Sequence, residues 1–374
     1  MAGFGADALT ENFYLWEARG RGWLVFDEPV DLEPPFVPFI HSYPASGTTY
    51  DDGLKTTFWG KVFGGSTSPS SPEAPESPTT KPIIPYPHRP QGDIHEVVLI
   101  PPQGQIIKWD LAQFLLSSLA NCSQLLSFEI IGTNDQVYVQ LACRTPDLQF
   151  VISQCQAYFP DTIVKEATGL LYKVWQHDHA AFPLDLALEQ EWMRPLSINT
   201  NLNTDLLAGV IGALEYIQNG QLGMLQILFQ GARNKWSEHS FRSVTTESGK
   251  PFFPDAPEMI PLTKQKGSSP LLGAVIRIIG QDRYLDGAMK VAGLVKNSLG
   301  PLLFGKSNAL VPAFSAQYPL EAHVMDVFER RSRRLGMLLS TEELASLIHI
   351  PSQAVASKKL LRQAAKSKAA PYEA

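Results

Sequence analysis

The sequences HEVVLI at residues 95–100 and SFEIIGTNDQVYVQLACRTPDLQFVISQCQAYFP at residues 127–160 indicate the fold. HEVVLI is a short apolar run of strand length, and two further strands flank the GTND turn at 132–135. Apolar residues recur at helical spacing over 109–120 and 145–159. A last strand at 162–166 completes the order β-α-β-β-α-β, which predicts a ferredoxin-like unit over residues 93–168. Its two helices cover one face of the sheet, so we expect the other face to be free.

The same pattern recurs over residues 169–315. The predicted elements are a short strand at 196–199, a helix at 205–218, strands at 222–229 and 273–279, a helix at 283–298 and a strand at 308–312. An insertion at 232–270, with a short helix near Trp236, separates the two central strands. We therefore expect a second βαββαβ unit whose central hairpin is opened by the insertion.

The remaining segments differ in composition. Residues 1–63 are rich in aromatics and prolines, and predict a β-hairpin around Gly20 and Gly22 followed by an extended stretch. Residues 64–92 form a Pro/Ser-rich linker that we expect to be disordered. Residues 316–374 predict a basic helical segment. Its parts are a helix at 321–334, a capping box opening at Ser340 and a basic helix or tail at 357–368. The predicted fold class is thus α+β: two ferredoxin-like units, an N-terminal hairpin region and a C-terminal helical tail.

Composition excludes several classes of protein. The 374 residues are 44% hydrophobic and 18% charged, which is typical of a globular chain rather than a disordered one or a coiled coil. No apolar run reaches the roughly 18 residues of a membrane-spanning helix, and no secretory signal is visible. The three cysteines (Cys122, Cys143 and Cys155) form no CxxC pair, so we expect them to be reduced. These features predict a cytoplasmic protein.

The stretch GPLLFGKS at residues 300–307 matches the pattern of a phosphate-binding loop. The matching positions are Gly300, Gly305, Lys306 and Ser307. A functional loop needs a strand before it and a helix after it, so that backbone N–H groups face the phosphates. Here a predicted helix precedes the stretch and a strand follows it. We therefore interpret it as a look-alike turn and predict no nucleotide site.

No other motif predicts catalysis. His177, Asp178 and His179 lack a third ligand at a useful spacing, so an exposed turn is favoured over a metal site. The sequence therefore predicts no catalytic residue, no metal ligand and no cofactor.

The C-terminal segment concentrates positive charge. From residue 330 onward, nine Lys and Arg stand against three acidic residues, although the whole chain has a net charge of -6. The candidate nucleic-acid contacts are Arg330, Arg331, Arg333, Arg334, Lys358, Lys359 and Arg362. Such a cluster can contact phosphates, and it can equally be a solvated helix face.

The order of several segments resembles the amino-terminal region of bacterial conjugative DNA-transfer ATPases, the coupling-protein class of type IV secretion. The segments are RGWLVFDEPVDLEPPFVPF, HEVVLIPPQ, the stretch from SFEII to DTIV, LEYIQNGQLGMLQILFQGARNKWSEHSFRSV, GAVIRIIG and LLSTEELASLIHIPSQAVASKKL. In that family this region precedes the motor domain, and the resemblance covers residues 12 to 366. The family's motor motifs would lie beyond residue 374, so the resemblance assigns no catalytic residue here.

The resemblance implies a non-catalytic accessory or assembly module of a DNA-translocating ATPase that makes protein–protein contacts. Its expected partners are a motor domain or subunit, further copies of the chain, and DNA through the C-terminal segment. It has no integral membrane segment, and is expected in the cytoplasm or at the inner face of the membrane beside a secretion complex. Two alternatives stay open: a small ATPase that uses Gly300–Ser307, and a DNA-binding protein that acts through its basic C-terminal segment.

Overall fold

One large antiparallel sheet organises the chain. The computed structural model describes residues 12–39, 83–104, 106–197, 205–246 and 248–363. Of the predicted linker, residues 64–82 lie outside these ranges, and residues 83–92 have no regular secondary structure apart from one bridge. The architecture is α+β, as the sequence predicts.

The strands and helices have the following bounds. The strands are β1 Val25–Val30, β2 Ile94–Ile100, β3 Leu126–Gly132, β4 Val137–Arg144, β5 Ile163–Ala167, β6 Ala180–Leu188, β7 Leu222–Gly231, β8 Leu271–Asp282, β9 Leu310–Pro312, β10 Ser332–Arg334 and β11 Met337–Ser340. The helices are α1 Trp109–Leu119, α2 Leu148–Tyr158, α3 Leu170–Val174, α4 Leu206–Glu215, α5 Trp236–Val244, α6 Met259–Lys266, α7 Leu285–Ser298, α8 Gly300–Leu303, α9 Leu320–Phe328 and α10 Thr341–Ala345.

The strand order of the main sheet is β5-β2-β4-β3-β7-β8-β6-β9, and β11 pairs with the start of β8. The first four strands in this order come from residues 94–167 and the last four from residues 180–312. The first half runs strand–helix–strand–strand–helix–strand along the chain, and the second half does so apart from α5 and α6 in its insertion and the short α8. The two strand orders mirror each other across β3 and β7. Those two strands join the halves, in an antiparallel register from Leu126↔Phe229 to Gly132↔Gly223.

The strands of the first half lie where the sequence predicts them, to within two residues. In the second half, the prediction of a first strand at 196–199 is wrong. Residues 196 and 197 are not in a strand, residues 198 and 199 lie outside the described ranges, and β6 supplies the strand instead. Pro183 obscures β6 in the sequence. It is tolerated because β9 pairs only with residues 186–188, which leaves residue 183 a strand neighbour on one side only.

One face of the sheet packs against helices and carries the main core. Alternate strand residues such as Phe128, Leu225 and Ile276 lie in this core with residues of α1, α2, α4 and α7. The insertion at 232–270 forms α5 and α6, so the predicted helix near Trp236 is confirmed.

The expectation that the other face is free is wrong. The helix α9 lies across it, with Val327 packed among Ile131, Met224 and Ile279. The Gln226 side chain donates a hydrogen bond of 3.0 Å to the Val327 carbonyl oxygen. The chain therefore covers this face with its own C-terminal segment.

The predicted N-terminal hairpin is also wrong. Residues 12–17 are helical, Ala18–Gly20 form a turn of 3₁₀-helix, and β1 pairs with β10 across some 300 residues of chain. Gly20 serves close packing, since a Cβ there would lie 2.7 Å from the Trp192 ring. The glycines thus mark a packing contact and not the turn of a hairpin.

The C-terminal segment is only partly helical. The helix α9 ends at Phe328, so the predicted helix over 321–334 stops early, and residues 357–363 are not helical. Residues 364–374, with Lys366 and Lys368, lie outside the described ranges. The predicted capping box is confirmed: the Ser340 side chain accepts from the Glu343 N–H, and the Glu343 carboxylate accepts from the Ser340 N–H. Among the described helices, none is long and apolar enough to cross a membrane.

Gly280→Ala should destabilise the fold, because a Cβ at residue 280 would lie 2.1 Å from the Ala288 backbone oxygen. Relieving that clash requires α7 to move off β8, and we expect a loss of at least about 2 kcal/mol in the free energy of unfolding. Gly293→Ala, on an open face of α7, is the matched control. It should be neutral or stabilising by up to about 1 kcal/mol. Urea unfolding measures both, and equal midpoints would contradict the packing described here.

Glu17→Gln should stabilise the protein at pH 8 and have little effect at pH 5. Burial raises the pKa of Glu17 to about 7, and Glu191 adds to the rise, against the opposing effect of Arg21. Because the pKa of this carboxyl is higher in the folded protein than in the unfolded chain, the free energy of unfolding falls as the pH rises from the unfolded-chain pKa toward 7. The expected gain at pH 8 is about 2–3 kcal/mol. Thermal unfolding at the two pH values tests this, with Glu238→Gln, whose side chain is exposed on α5, as the control that should show no such pH dependence.

Candidate functional site

Buried polar side chains cross the covered face of the sheet. Six neighbouring strands contribute one each: Glu96, Glu129, Gln140, Asp185, Gln226 and Arg277. They alternate along their strands with the apolar residues that face the helices. Buried charges need charged or hydrogen-bonding partners, so the segment that covers this face has to supply such partners.

Arg330 covers the part of this face formed by the first half of the sheet. Its Nε lies 3.0 Å from a Glu129 carboxylate oxygen, and its guanidinium also bonds Glu96. Burial alone would raise the pKa of Glu129, but Arg330 outweighs it and the pKa is lowered. Arg330 has a backbone φ of 48°, which is an uncommon conformation for a residue other than glycine. The side-chain pairing holds the chain in this tight turn after α9.

Asp185 is the centre of the other half. Its two carboxylate oxygens accept hydrogen bonds from Arg277 Nε at 2.9 Å and Arg334 Nε at 3.1 Å. Although burial opposes it, His323 and the two arginines hold the pKa of Asp185 well below its usual value. Arg334 also donates to the backbone oxygens of Gly22, Trp23 and Ala313. This one guanidinium therefore ties the N-terminal segment to the sheet.

The sequence-predicted nucleic-acid contacts divide into two groups. Arg330 and Arg334 are buried in the ion pairs above, while Arg331 and Arg333 both bind Asp326, at 2.7 and 3.2 Å, and keep part of their surface exposed. Lys358 is exposed. The Lys359 ammonium and the Arg362 guanidinium donate to backbone oxygens of neighbouring loops. DNA binding by this segment stays a prediction, and the buried ion pairs show that Arg330 and Arg334 have a structural role.

Arg330→Met should cost about 3–5 kcal/mol of the free energy of unfolding, because it leaves Glu96 and Glu129 buried without their cation. Arg242→Met, on the exposed side of α5, is the control and should change it by less than about 0.5 kcal/mol. Denaturant unfolding followed by circular dichroism measures both. A variant at residue 330 as stable as the wild type would show that the network contributes nothing to folding.

The stretch at residues 300–307 forms the short helix α8 and a turn between α7 and β9. Gly305 has a structural reason to be glycine, since a Cβ there would lie 2.2 Å from the Asn308 backbone oxygen. Asn308 is buried and bonds the Gln190 and Ala309 N–H groups. Lys306 is exposed. That this stretch binds no nucleotide stays a prediction.

His177 and His179 lie in a turn, as the sequence predicts, and contact different backbone oxygens, those of Tyr172 and Gly220. Within the described ranges, no three His, Cys, Asp or Glu side chains are grouped to hold a metal ion. The three cysteines are unpaired.

A cavity of about 210 Å³ opens beside the Asp185 cluster, near the edge formed by β6 and β9. Its polar lining comes from Asp185, His323, Arg334, Tyr318 and Ser315. The apolar lining is provided by Phe182, Pro183, Leu184, Leu285, Ala313, Phe314 and Leu320. Phe314 is 71% exposed, and Leu285 and Leu320 are each more than 40% exposed. The cavity thus combines a buried polar cluster with an exposed apolar rim.

His323 is held rigidly in this cavity. Its ring stacks on Tyr318, with centroids 4.0 Å apart and 19° between the planes, and its Nε2 lies 3.1 Å from Asp185. The Tyr318 hydroxyl donates to Asp326 at 2.8 Å. Burial lowers the pKa of His323, and Arg277 and Arg334 lower it further, against the opposing effect of Asp185. The imidazole is therefore neutral near pH 7, with its proton on Nε2 toward the carboxylate.

Sequence reasoning missed this cluster entirely. Asp185 lies on β6, while Tyr318 and His323 lie around the start of α9 some 130 residues later, and no spacing rule joins the two segments. One signal was present: a single acidic residue inside the apolar run AFPLDLAL at 181–188 indicates a buried charge that needs a partner.

Comparison with known proteins finds a weak structural likeness and no family or curated match. No protein-family model matches the chain, and no curated protein matches it. Among solved structures, it is similar to a variant of berberine bridge enzyme described as a reticuline dehydrogenase, at 11% identity and a TM-score of 0.24. That alignment covers 55% of this chain and 40% of the other. A likeness this weak carries no argument about function.

Proposed function

We propose that the chain is a non-catalytic assembly module of a conjugative, type IV secretion-like DNA-translocating ATPase, and that it docks on the motor. The resemblance of its segment order to the pre-motor region of such ATPases supports the choice of partner. The protein-contact role is supported by the apolar rim around the cavity near β9.

The proposal includes two ferredoxin-like units. In each half of the chain, the strands follow the order fourth, first, third, second across the sheet, with the first and second helices between the expected strands. The antiparallel β3–β7 pairing joins the units back to back. Their helix-free face is covered by the chain's own segment around α9. We therefore expect the motor to bind at a sheet edge or at the exposed apolar rim of the cavity, and not on an open face of the sheet.

The observation that carries the proposal is the apolar rim. Phe314 is 71% exposed, and Leu285 and Leu320, which also line the cavity, are 42% and 43% exposed. Exposed apolar side chains around a polar centre are typical of a protein contact site. The strand β9 beside it is a short edge strand, so the surface is accessible from the end of the sheet.

The test is to mix the full chain with the purified motor domain of a conjugative coupling ATPase, and to measure the complex by size-exclusion chromatography with light scattering. We expect a complex, and Phe314→Asp should weaken it by at least about tenfold because the residue is more exposed than Leu285 and Leu320, the other apolar residues of the rim. Phe304→Asp is the matched control. Phe304 is 85% exposed and is not part of the cavity, so its substitution should leave affinity unchanged.

Circular dichroism and thermal unfolding establish that both variants remain folded. The absence of a complex with the motor would contradict the proposal. Equal weakening by the two substitutions would place the contact elsewhere on the surface.

A further inference from the structure

The cavity beside Phe314 contains an unused hydrogen-bond acceptor. His323 is 8% exposed, and its Nε2–H is donated to Asp185. Among the described residues, its Nδ1 has no hydrogen-bond partner. A neutral imidazole protonated on Nε2 carries a lone pair on Nδ1. Solvent reaches this nitrogen, since it is not among the fully buried polar atoms that lack a partner, and a donor on a bound group can replace the water.

The acceptor is fixed before any ligand arrives. Stacking on Tyr318 and the bond to Asp185 hold the imidazole, while Arg277 and Arg334 hold Asp185 in turn. A group that binds here does not have to order the polar side chains. The fixed lone pair selects a ligand atom that donates a hydrogen bond.

Size and lining restrict the ligand further. About 210 Å³ is below the range of about 300–1,000 Å³ that is usual for small-molecule and cofactor sites, and it suits one large side chain. Phe182, Phe314 and Leu285 provide apolar walls for an aromatic ring. Arg334 also lines the cavity, with its guanidinium donors used on Asp185 and on backbone oxygens.

We infer that this cavity receives a tryptophan side chain of the docking partner, with the indole N–H donated to His323 Nδ1 and the ring held between Phe314 and the apolar wall. Tryptophan combines a large apolar ring with a single donor and no acceptor, which matches a site offering one acceptor in apolar surroundings. It is also among the residues that most often anchor protein interfaces. This inference rests on the proposed function, since it names the anchor of the same docking surface.

The test uses 5-fluoroindole and 1-methyl-5-fluoroindole as probes, with binding to the full chain followed by ¹⁹F NMR. We expect 5-fluoroindole to bind more tightly by about threefold to tenfold, which is the ratio for one neutral hydrogen bond. In His323→Phe, which keeps a ring against Tyr318, the two probes should bind equally. Phe314→Ala should weaken both probes, and Phe304→Ala should weaken neither.

Equal affinity of the two probes for the wild-type protein overturns the inference, whether or not the variant at residue 323 folds. So does the absence of measurable binding, or binding that Phe314→Ala leaves unchanged. The outcome is separate from that of the motor experiment. A motor complex without probe discrimination overturns only the tryptophan anchor, whereas probe binding without a motor complex overturns only the proposed partner.

Discussion

The structure depends on the pairing of three carboxylates that the sheet buries on its covered face. Glu96, Glu129 and Asp185 each come from a different strand, and each would be strongly destabilising if left without a cation. Arg277 comes from the sheet itself, but of the three carboxylates it pairs only with Asp185. The remaining positive charge has to come from outside the sheet. This requirement brings the segment after α9 back across the face.

The pairing also explains the unusual path of that segment. Arg330 turns at a positive φ in order to reach two carboxylates of the first half. Four residues later, Arg334 binds Asp185 of the second half and the backbone of the N-terminal segment. A short stretch of chain thus fastens both halves of the sheet and one terminus. Such buried ion pairs specify one arrangement, because each alternative would leave a charge without its partner.

The same pairing links the stability of the fold to the candidate binding surface. Asp185 is held by two arginines and in turn holds His323, so the polar lining of the cavity is an extension of the structural network. The apolar rim is built by different segments: the start of α7, the turn after β9 and the start of α9. A substitution in the rim can therefore alter docking without disturbing the ion pairs beneath it.

The sequence by itself determined the elements whose signals are local. The strand and helix periods of residues 94–167, the insertion after β7 and the capping box at Ser340 follow from side-chain spacing and backbone hydrogen bonding within a few residues. Only the tertiary structure decided the partners. Pro183 and Asp185 interrupt the apolar pattern of β6, so the sequence does not predict this strand. Pro183 is tolerated because it has a strand neighbour, β8, on one side only, and Asp185 is tolerated because Arg277 and Arg334 neutralise its charge. The local sequence of Arg330–Arg334 does not reveal whether these arginines are solvated or buried, because their desolvation and ion pairing depend on residues up to hundreds of positions away.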